Sequence, residues 1–202
     1  MKQFNPFVFD KTAYERELTQ YRTFLQTKRN LSENKDILPF FKQNQQVSSQ
    51  MGRSFMSDLF PIDNIAFEYD LFGDFVCDLV LGNQKTQSYC FVEFEDASEN
   101  SIFTTKKGKY QSVYAPRFEQ GHSQVVDWFY KIRHASPYDL QERFGSDRIN
   151  YYGMLVIGRS HFLTEREINR YKWRKRHVLV DSKFIIVLTF DELLQMLETP
   201  YH

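Results

Sequence analysis

Residues 73–96 read GDFVCDLVLGNQKTQSYCFVEFED, and the reading of this stretch decides the fold. Residues 75–81 and 89–95 are rich in Phe, Val, Leu and Tyr and lack helical spacing, which predicts two β-strands. Gly82-Asn83 begins the turn between them, so the pair reads as an antiparallel hairpin. Side chains alternate between faces along a strand. On the first strand Phe75, Cys77, Leu79 and Leu81 then share one face, and Asp74, Val76, Asp78 and Val80 the other. On the second, Cys90, Val92 and Phe94 oppose Tyr89, Phe91, Glu93 and Glu95. If the wholly apolar faces align, Asp78 lies on the same side as Glu93 and Glu95, as a register of Leu81 opposite Cys90 would give.

Both acidic faces also carry Val, Phe or Tyr. A carboxylate among apolar groups costs several kcal/mol unless it is paired or bound to metal, and close carboxylates raise one another's pKa. A divalent cation such as Mg2+, which takes oxygen ligands and keeps several waters, resolves the conflict. It can also polarise a phosphoryl oxygen and activate water. The alternative is a solvated outer face, the usual meaning of alternating charge on an antiparallel strand.

Around the hairpin the pattern is mixed. Residues 11–28 place Ala13, Leu18, Tyr21, Phe24 and Leu25 near a 3.6-residue period, which predicts a helix. Ser32 is a candidate N-cap for a second helix that Pro39 bends or ends early. A strand is expected at residues 64–71, a loop at 96–116 and a long helix at 117–134. A further strand is expected at 151–157. Thr164 with Glu167, and Thr189 with Glu192, have capping-box spacing at the starts of two further helices, with a strand at 184–188 between them. The expectation is a mixed α/β fold in a single domain of 202 residues, with an N-terminal helical part over residues 1–60 and an α/β core over 61–202.

Composition narrows the classes. No run approaches 18 apolar residues, and the N-terminal MKQFNPFVFD lacks a signal-peptide pattern, so neither a membrane partner nor secretion is expected. Two cysteines, Cys77 and Cys90, in apolar surroundings suit free thiols in the cytoplasm. The five His and two Cys have no zinc-site spacing. The zero net charge hides an asymmetry: 10 Lys+Arg against 15 Asp+Glu in residues 1–100, and 16 against 11 in the rest. Candidate phosphate contacts are Lys106, Lys107 and Lys109 in one loop, Arg159 after Gly158, and Arg166, Arg170 and Arg174 on one face of a helix whose charge pattern also simply complements its dipole. No base-reading motif is present.

An Asp on one strand followed by Glu-x-(Glu/Lys) on the next resembles the PD-(D/E)XK nuclease superfamily. The runs GDFVCDLVLG, FVEFEDASENSIF, RFEQGHSQVVDWF, YYGMLVIGRS and VLTFDELL, taken together from about residue 10 to the end, resemble the Shedu anti-phage defence family in its SduA C-terminal nuclease domain. The resemblance implies a restriction-endonuclease-like core sheet flanked by helices, Mg2+- or Mn2+-dependent DNA cleavage, phage defence and assembly into oligomers. It makes Asp78 the motif aspartate and Glu93 the motif glutamate. Glu95 stands where the superfamily has Lys, as a further metal ligand or a general base. Gln124 with Trp128 resembles the Gln-xxx-Tyr signature of RecB-type nucleases. Glu33 is the candidate acidic ligand from an early helix, with Glu68 behind it. Lys106, Lys107 and Lys131 are candidates for a migrated lysine. The competing reading is a nuclease fold that binds DNA or a partner protein without cutting; a third is a structural domain whose aromatic surface mediates assembly.

Overall fold

The computed structural model of the chain describes residues 4–108 and 110–199. The N-terminal part runs from a short strand β1 (Asn5–Pro6) into helix α1 (Lys11–Thr27). Asp10 caps α1, accepting from the Ala13 N–H at 3.1 Å. A π-helical turn (Glu33–Ile37) leads into α2 (Leu38–Gln43) and α3 (Gln45–Ser49). Ser32 precedes that turn, but its hydroxyl caps nothing; instead Asp36 reaches back to accept the Ser32 N–H. Pro39 does not end the helix, which runs on to Gln43. It stands in the first turn of α2, where a missing N–H costs nothing.

The predicted hairpin is present. Strands β2 (Asn64–Leu71), β3 (Phe75–Asn83) and β4 (Ser88–Phe94) are antiparallel in sequence order. The turn lies beyond Asn83, whose side chain accepts from the Lys85 and Thr86 N–H groups at 2.9 and 3.1 Å. The expected loop contains a small hairpin, β5 (Phe103–Thr104) with β6 (Val113–Tyr114). Helix α4 (Pro116–His134) then crosses to β7 (Asn150–Val156), which pairs parallel to β4. Between them lies α5 (Pro137–Phe144), not anticipated from the sequence although Ser136 and Gly145 bound it as N-cap and left-handed C-cap. Helix α6 (Glu165–His177) and the ribbon β8 (Leu179–Val180) precede β9 (Lys183–Leu188), parallel to β7; α7 (Phe190–Glu198) ends the fold. Both expected capping boxes form, at Thr164 and Thr189.

The result is a mixed α/β architecture around one seven-stranded sheet, ordered β1-β2-β3-β4-β7-β9-β8. One core layer joins α1, α2, α3 and α7 to the sheet through Tyr21, Phe41, Phe94 and Phe190. Phe41 stacks on Phe94 with centroids 4.7 Å apart, and the buried Tyr21 hydroxyl donates to the Phe190 carbonyl at 2.9 Å. The other layer joins α4, α5 and α6 to it through Phe91, Trp128, Phe144 and Tyr171. Strand β4 lies between both layers with all seven residues buried, which explains its nearly unbroken apolar run. Among the described residues no helix is long and apolar enough to cross a membrane.

Two backbone features shape the sheet on either side of β4. The faces of β3 do not alternate cleanly as its sequence suggests: Leu79 and Leu81 join one layer, whereas Cys77 joins the other together with Val80. The exchange falls where Glu68 of β2 adopts φ +50° and the Glu68–Asp78 pair drops out of an otherwise continuous ladder. Second, Gly153 of β7 lets α4 approach closely, because a Cβ there would lie 2.4 Å from Val125 Cγ1 and 2.8 Å from the Phe129 ring. Gly153→Ala is therefore expected to destabilise the fold by about 1–3 kcal/mol through overpacking, measured as a lower urea midpoint at unchanged slope.

Candidate functional site

The site begins where the β3–β4 ladder ends. The register places Leu81 opposite Cys90 and terminates at Leu79 opposite Val92. Asp78 therefore comes level with Glu93. Past this point the two strands part. The Phe94 N–H, left without a ladder partner on β3, donates to Asp78 Oδ2 at 2.8 Å. On its other edge β4 stays paired with β7 as far as Phe94 opposite Val156, and the Glu95 N–H donates to the Val156 carbonyl at 3.0 Å. Glu93 and Glu95 are thus held by β7, while Asp78 closes on them from β3.

These carboxylates are not on a solvated face. Glu93 is 7% exposed and Glu95 3%. Glu93 Oε2 is buried with no hydrogen-bond partner among the described residues. Burial, then the neighbouring charges of Asp78, Glu95 and Glu33, pushes the Glu93 carboxyl far above the ordinary range. Asp78 is raised in the same way, first by burial and then by Glu33 and Glu95, against the opposing pull of the Phe94 N–H and the Lys42 charge. Burial also raises Glu95, countered by Arg117.

Glu33 arrives from the N-terminal part. Leu31 and Ala97 exchange two backbone hydrogen bonds, of 3.0 and 2.9 Å, and the Glu33 N–H donates to Asp96 Oδ1 at 2.8 Å. This clamp lays the segment before α2 across the end of β4. The first turn of α4 adds Arg117, which the sequence alone does not single out. Its Nη1 lies 2.7 Å from Glu95 Oε2 and 3.5 Å from Glu33 Oε2, and its Nε lies 3.4 Å from Asp96 Oδ2. Gly121, four residues on, leaves the space that Glu95 fills: a Cβ there would lie 3.0 Å from Glu95 Cγ. The run RFEQG thus places Arg117 and Gly121 one helical turn apart, both against Glu95. On the α2 side Lys42 Nζ holds Glu68 Oε2 at 2.7 Å, so Glu68 is committed to an ion pair.

The remaining candidates divide. Among the described residues Gln124, half-buried on α4 three residues beyond Gly121, makes no hydrogen bond to the carboxylates, and the fully buried Trp128 has its Nε1 unpartnered. Lys131 is ion-paired to Asp74 and lies 5.9 Å from the Phe72 ring, so its charge is already committed there and not to Glu95. Lys106 and Lys107 are exposed after β5; Lys109 lies outside the described residues. Arg159 corrects its expectation: it is 6% exposed, pairs with Asp191, and donates to the Leu25 and Lys28 carbonyls at the end of α1. It offers no surface to a phosphate. Arg170 and Arg174 also turn inward. Arg170 donates to the Ser112 carbonyl at 2.7 Å, and Arg174 forms a bidentate pair with Glu119 while its guanidinium lies 4.5 Å from the Tyr114 ring.

Among the described residues, no three His, Cys, Asp or Glu side chains stand grouped to hold a metal ion. Arg117 engages Glu95 and Glu33, the two that would enlarge the set. Asp78 and Glu93 nevertheless fit a hard divalent cation by donor type, and the orphaned Glu93 oxygen is a ligand atom in want of a partner. One or two carboxylates completed by water and substrate is the usual Mg2+ arrangement.

A carboxyl whose pKa is raised on folding contributes stability below its unfolded pKa, near 4, which is lost as pH rises through the folded value. The metal-free protein should therefore lose stability from about pH 4 through neutrality, as Asp78 is raised to about 7 and Glu93 to about 10. Glu93→Gln should flatten that slope and raise Tm at pH 8 by roughly 2–4 °C per kcal/mol recovered, read by calorimetry in EDTA. Arg159→Ala should cost about 3 kcal/mol, because it removes the ion-pair partner of Asp191 and the donors to the last carbonyls of α1, without altering affinity for DNA.

No curated protein matches the chain. The family described as Shedu protein SduA, C-terminal, matches residues 30–194, which contain the hairpin, Glu33, Arg117 and every β-strand from β2 to β9. The chain belongs to the Shedu family, as a relative of the SduA C-terminal region.

Proposed function

We propose that this chain is a metal-dependent DNA endonuclease acting in anti-phage defence, with a site of the PD-(D/E)XK kind. Membership of the Shedu family suggests the defence role. The chemistry rests on one observation: Asp78 and Glu93 meet where the β3–β4 ladder opens, and Glu93 presents a buried oxygen without a partner among the described residues. Holding a buried carboxyl, Glu93, beside a half-buried one, Asp78, is unfavourable for folding, and a cation shared between them offsets that cost.

In this reading Asp78 and Glu93 would hold Mg2+ or Mn2+. Such an ion, when bound, supplies Lewis acidity toward a phosphoryl oxygen and toward water. Asp78 is oriented for the task by the Phe94 N–H, and Glu93 by its place between β3 and β7. Gln124, half-buried on α4, would orient a phosphate or a water. Exposed Lys106 and Lys107 meet DNA phosphates without reading sequence.

A binding module that does not cut is the second reading. It is favoured by the engagement of Glu95 with Arg117 and by the lack, among the described residues, of three grouped ligand side chains. Incubation with plasmid and linear DNA decides between them. Cleavage is expected with Mg2+ or Mn2+ and not in EDTA, and Asp78→Ala and Glu93→Ala should each lose roughly 100-fold or more. DNA binding that survives EDTA with no cleavage by any divalent ion establishes the binding module instead. Full activity in both variants removes Asp78 and Glu93 from the mechanism.

A further inference from the structure

Burial raises the carboxyls of Glu33, Asp78, Glu93 and Glu95; the charge of Glu33 adds to the other three, and that of Asp96 to Glu33 and Glu95. Arg117 is the cation that contacts Glu95, Glu33 and Asp96. Glu95 is buried, packed against Gly121, and gives Oε2 to Arg117 Nη1. Arg117 itself is 44% exposed; its Nε and Nη1 face the acidic groups, and its Nη2 makes no hydrogen bond among the described residues. A guanidinium anchored on two of its nitrogens and open on the third is arranged to receive an anion from solvent.

The geometry points to Arg117 as the residue that binds the scissile phosphate, with Glu95 as the positioning residue that holds it rather than as a metal ligand or general base. The inference rests on the nuclease reading of Asp78 and Glu93. Its physical basis is charge. DNA approaching Asp78 and Glu93 brings a phosphate toward a group of carboxyls, and a fixed cation counters the repulsion there. A lysine at position 95 would supply it directly. With Glu95 there, the guanidinium that Glu95 carries restores a positive charge to the same end of β4. Arg117 acts through hydrogen bonds to non-bridging phosphate oxygens, with no proton transfer, and needs no change in the Asp78–Glu93 pair.

The test uses the full chain and three readouts: Mn2+-dependent cleavage of plasmid DNA, Mn2+ affinity by calorimetry, and the salt dependence of duplex binding in EDTA. Arg117→Ala, or Arg117→Gln if the alanine variant is unfolded by circular dichroism, should lower cleavage about 100-fold. Its Mn2+ affinity should stay within about threefold of wild type, and its salt slope should fall by about one, the loss of one phosphate contact. Glu95→Gln should lower cleavage less and leave Mn2+ affinity unchanged. The double variant Arg117→Ala/Glu95→Lys should regain cleavage relative to Arg117→Ala, since a cation returns to the strand itself; a purely structural role for Arg117 predicts no such rescue. Unchanged cleavage and salt slope in Arg117→Ala would overturn the inference. So would a fall in Mn2+ affinity for Glu95→Gln as large as that for Asp78→Ala. If the wild type binds DNA but never cuts it, the nuclease reading fails separately, and an unchanged slope in Arg117→Ala then also removes the phosphate contact.

Discussion

The hydrogen bond from the Phe94 N–H to the Asp78 carboxylate marks the point on which the site depends. An unbroken antiparallel ladder would have used that N–H for the backbone of β3. Because the ladder stops at Leu79 and Val92, a side chain takes the place of a carbonyl. The substitution satisfies a buried donor, as the interior requires, and fixes Asp78 beside Glu93. The same break coincides with the left-handed residue Glu68 on β2 and with the exchange of faces along β3. Strand divergence, face exchange and carboxylate pairing are three aspects of one local departure from regular sheet geometry.

The sheet around this break is rigid for ordinary reasons. β4 lies inside both core layers, and its parallel partner β7 holds it past the point where β3 departs. Gly153 brings α4 close to β7, and Gly121 makes room for Glu95, so α4 enters with Arg117 directed at the acidic groups. The Leu31–Ala97 clamp adds Glu33 from the opposite side. Each acidic residue therefore comes from an element that the core holds firmly. Their charges are balanced by one half-exposed arginine and by Lys42 behind Asp78. Such a centre gives up stability to keep unfavourable groups in place, which is how functional sites commonly depart from the rules obeyed elsewhere.

Much of this is legible in the chain. The hairpin register follows from matching apolar faces, and the capping boxes at Thr164 and Thr189 mark helix starts through contacts only three residues apart. Arg159 reads wrongly as a phosphate contact because an arginine after a strand and a glycine looks exposed. Its partners, Asp191 and the end of α1, lie far away in sequence. Arg170 and Arg174 share a helical face as expected, but that face turns onto Ser112, Tyr114 and Glu119. Helix α5 escapes notice although Ser136 and Gly145 bound it, since a helix of eight residues has little room to show a period.

The sequence by itself determined the order of the main elements in a mixed α/β fold, the hairpin, and the register that brings Asp78 level with Glu93. These depend on alternation, capping and turn chemistry, all of which act between near neighbours. Only the tertiary structure decided which cations serve the site. Glu95 and Arg117 are 22 residues apart in the chain, and Glu33 and Arg117 are 84 apart. A charged side chain carries no local mark of its partner, because any exposed position accepts it equally well. Packing of α4 and the N-terminal segment against the end of β4 selects Arg117, as it selects the interior for Arg159.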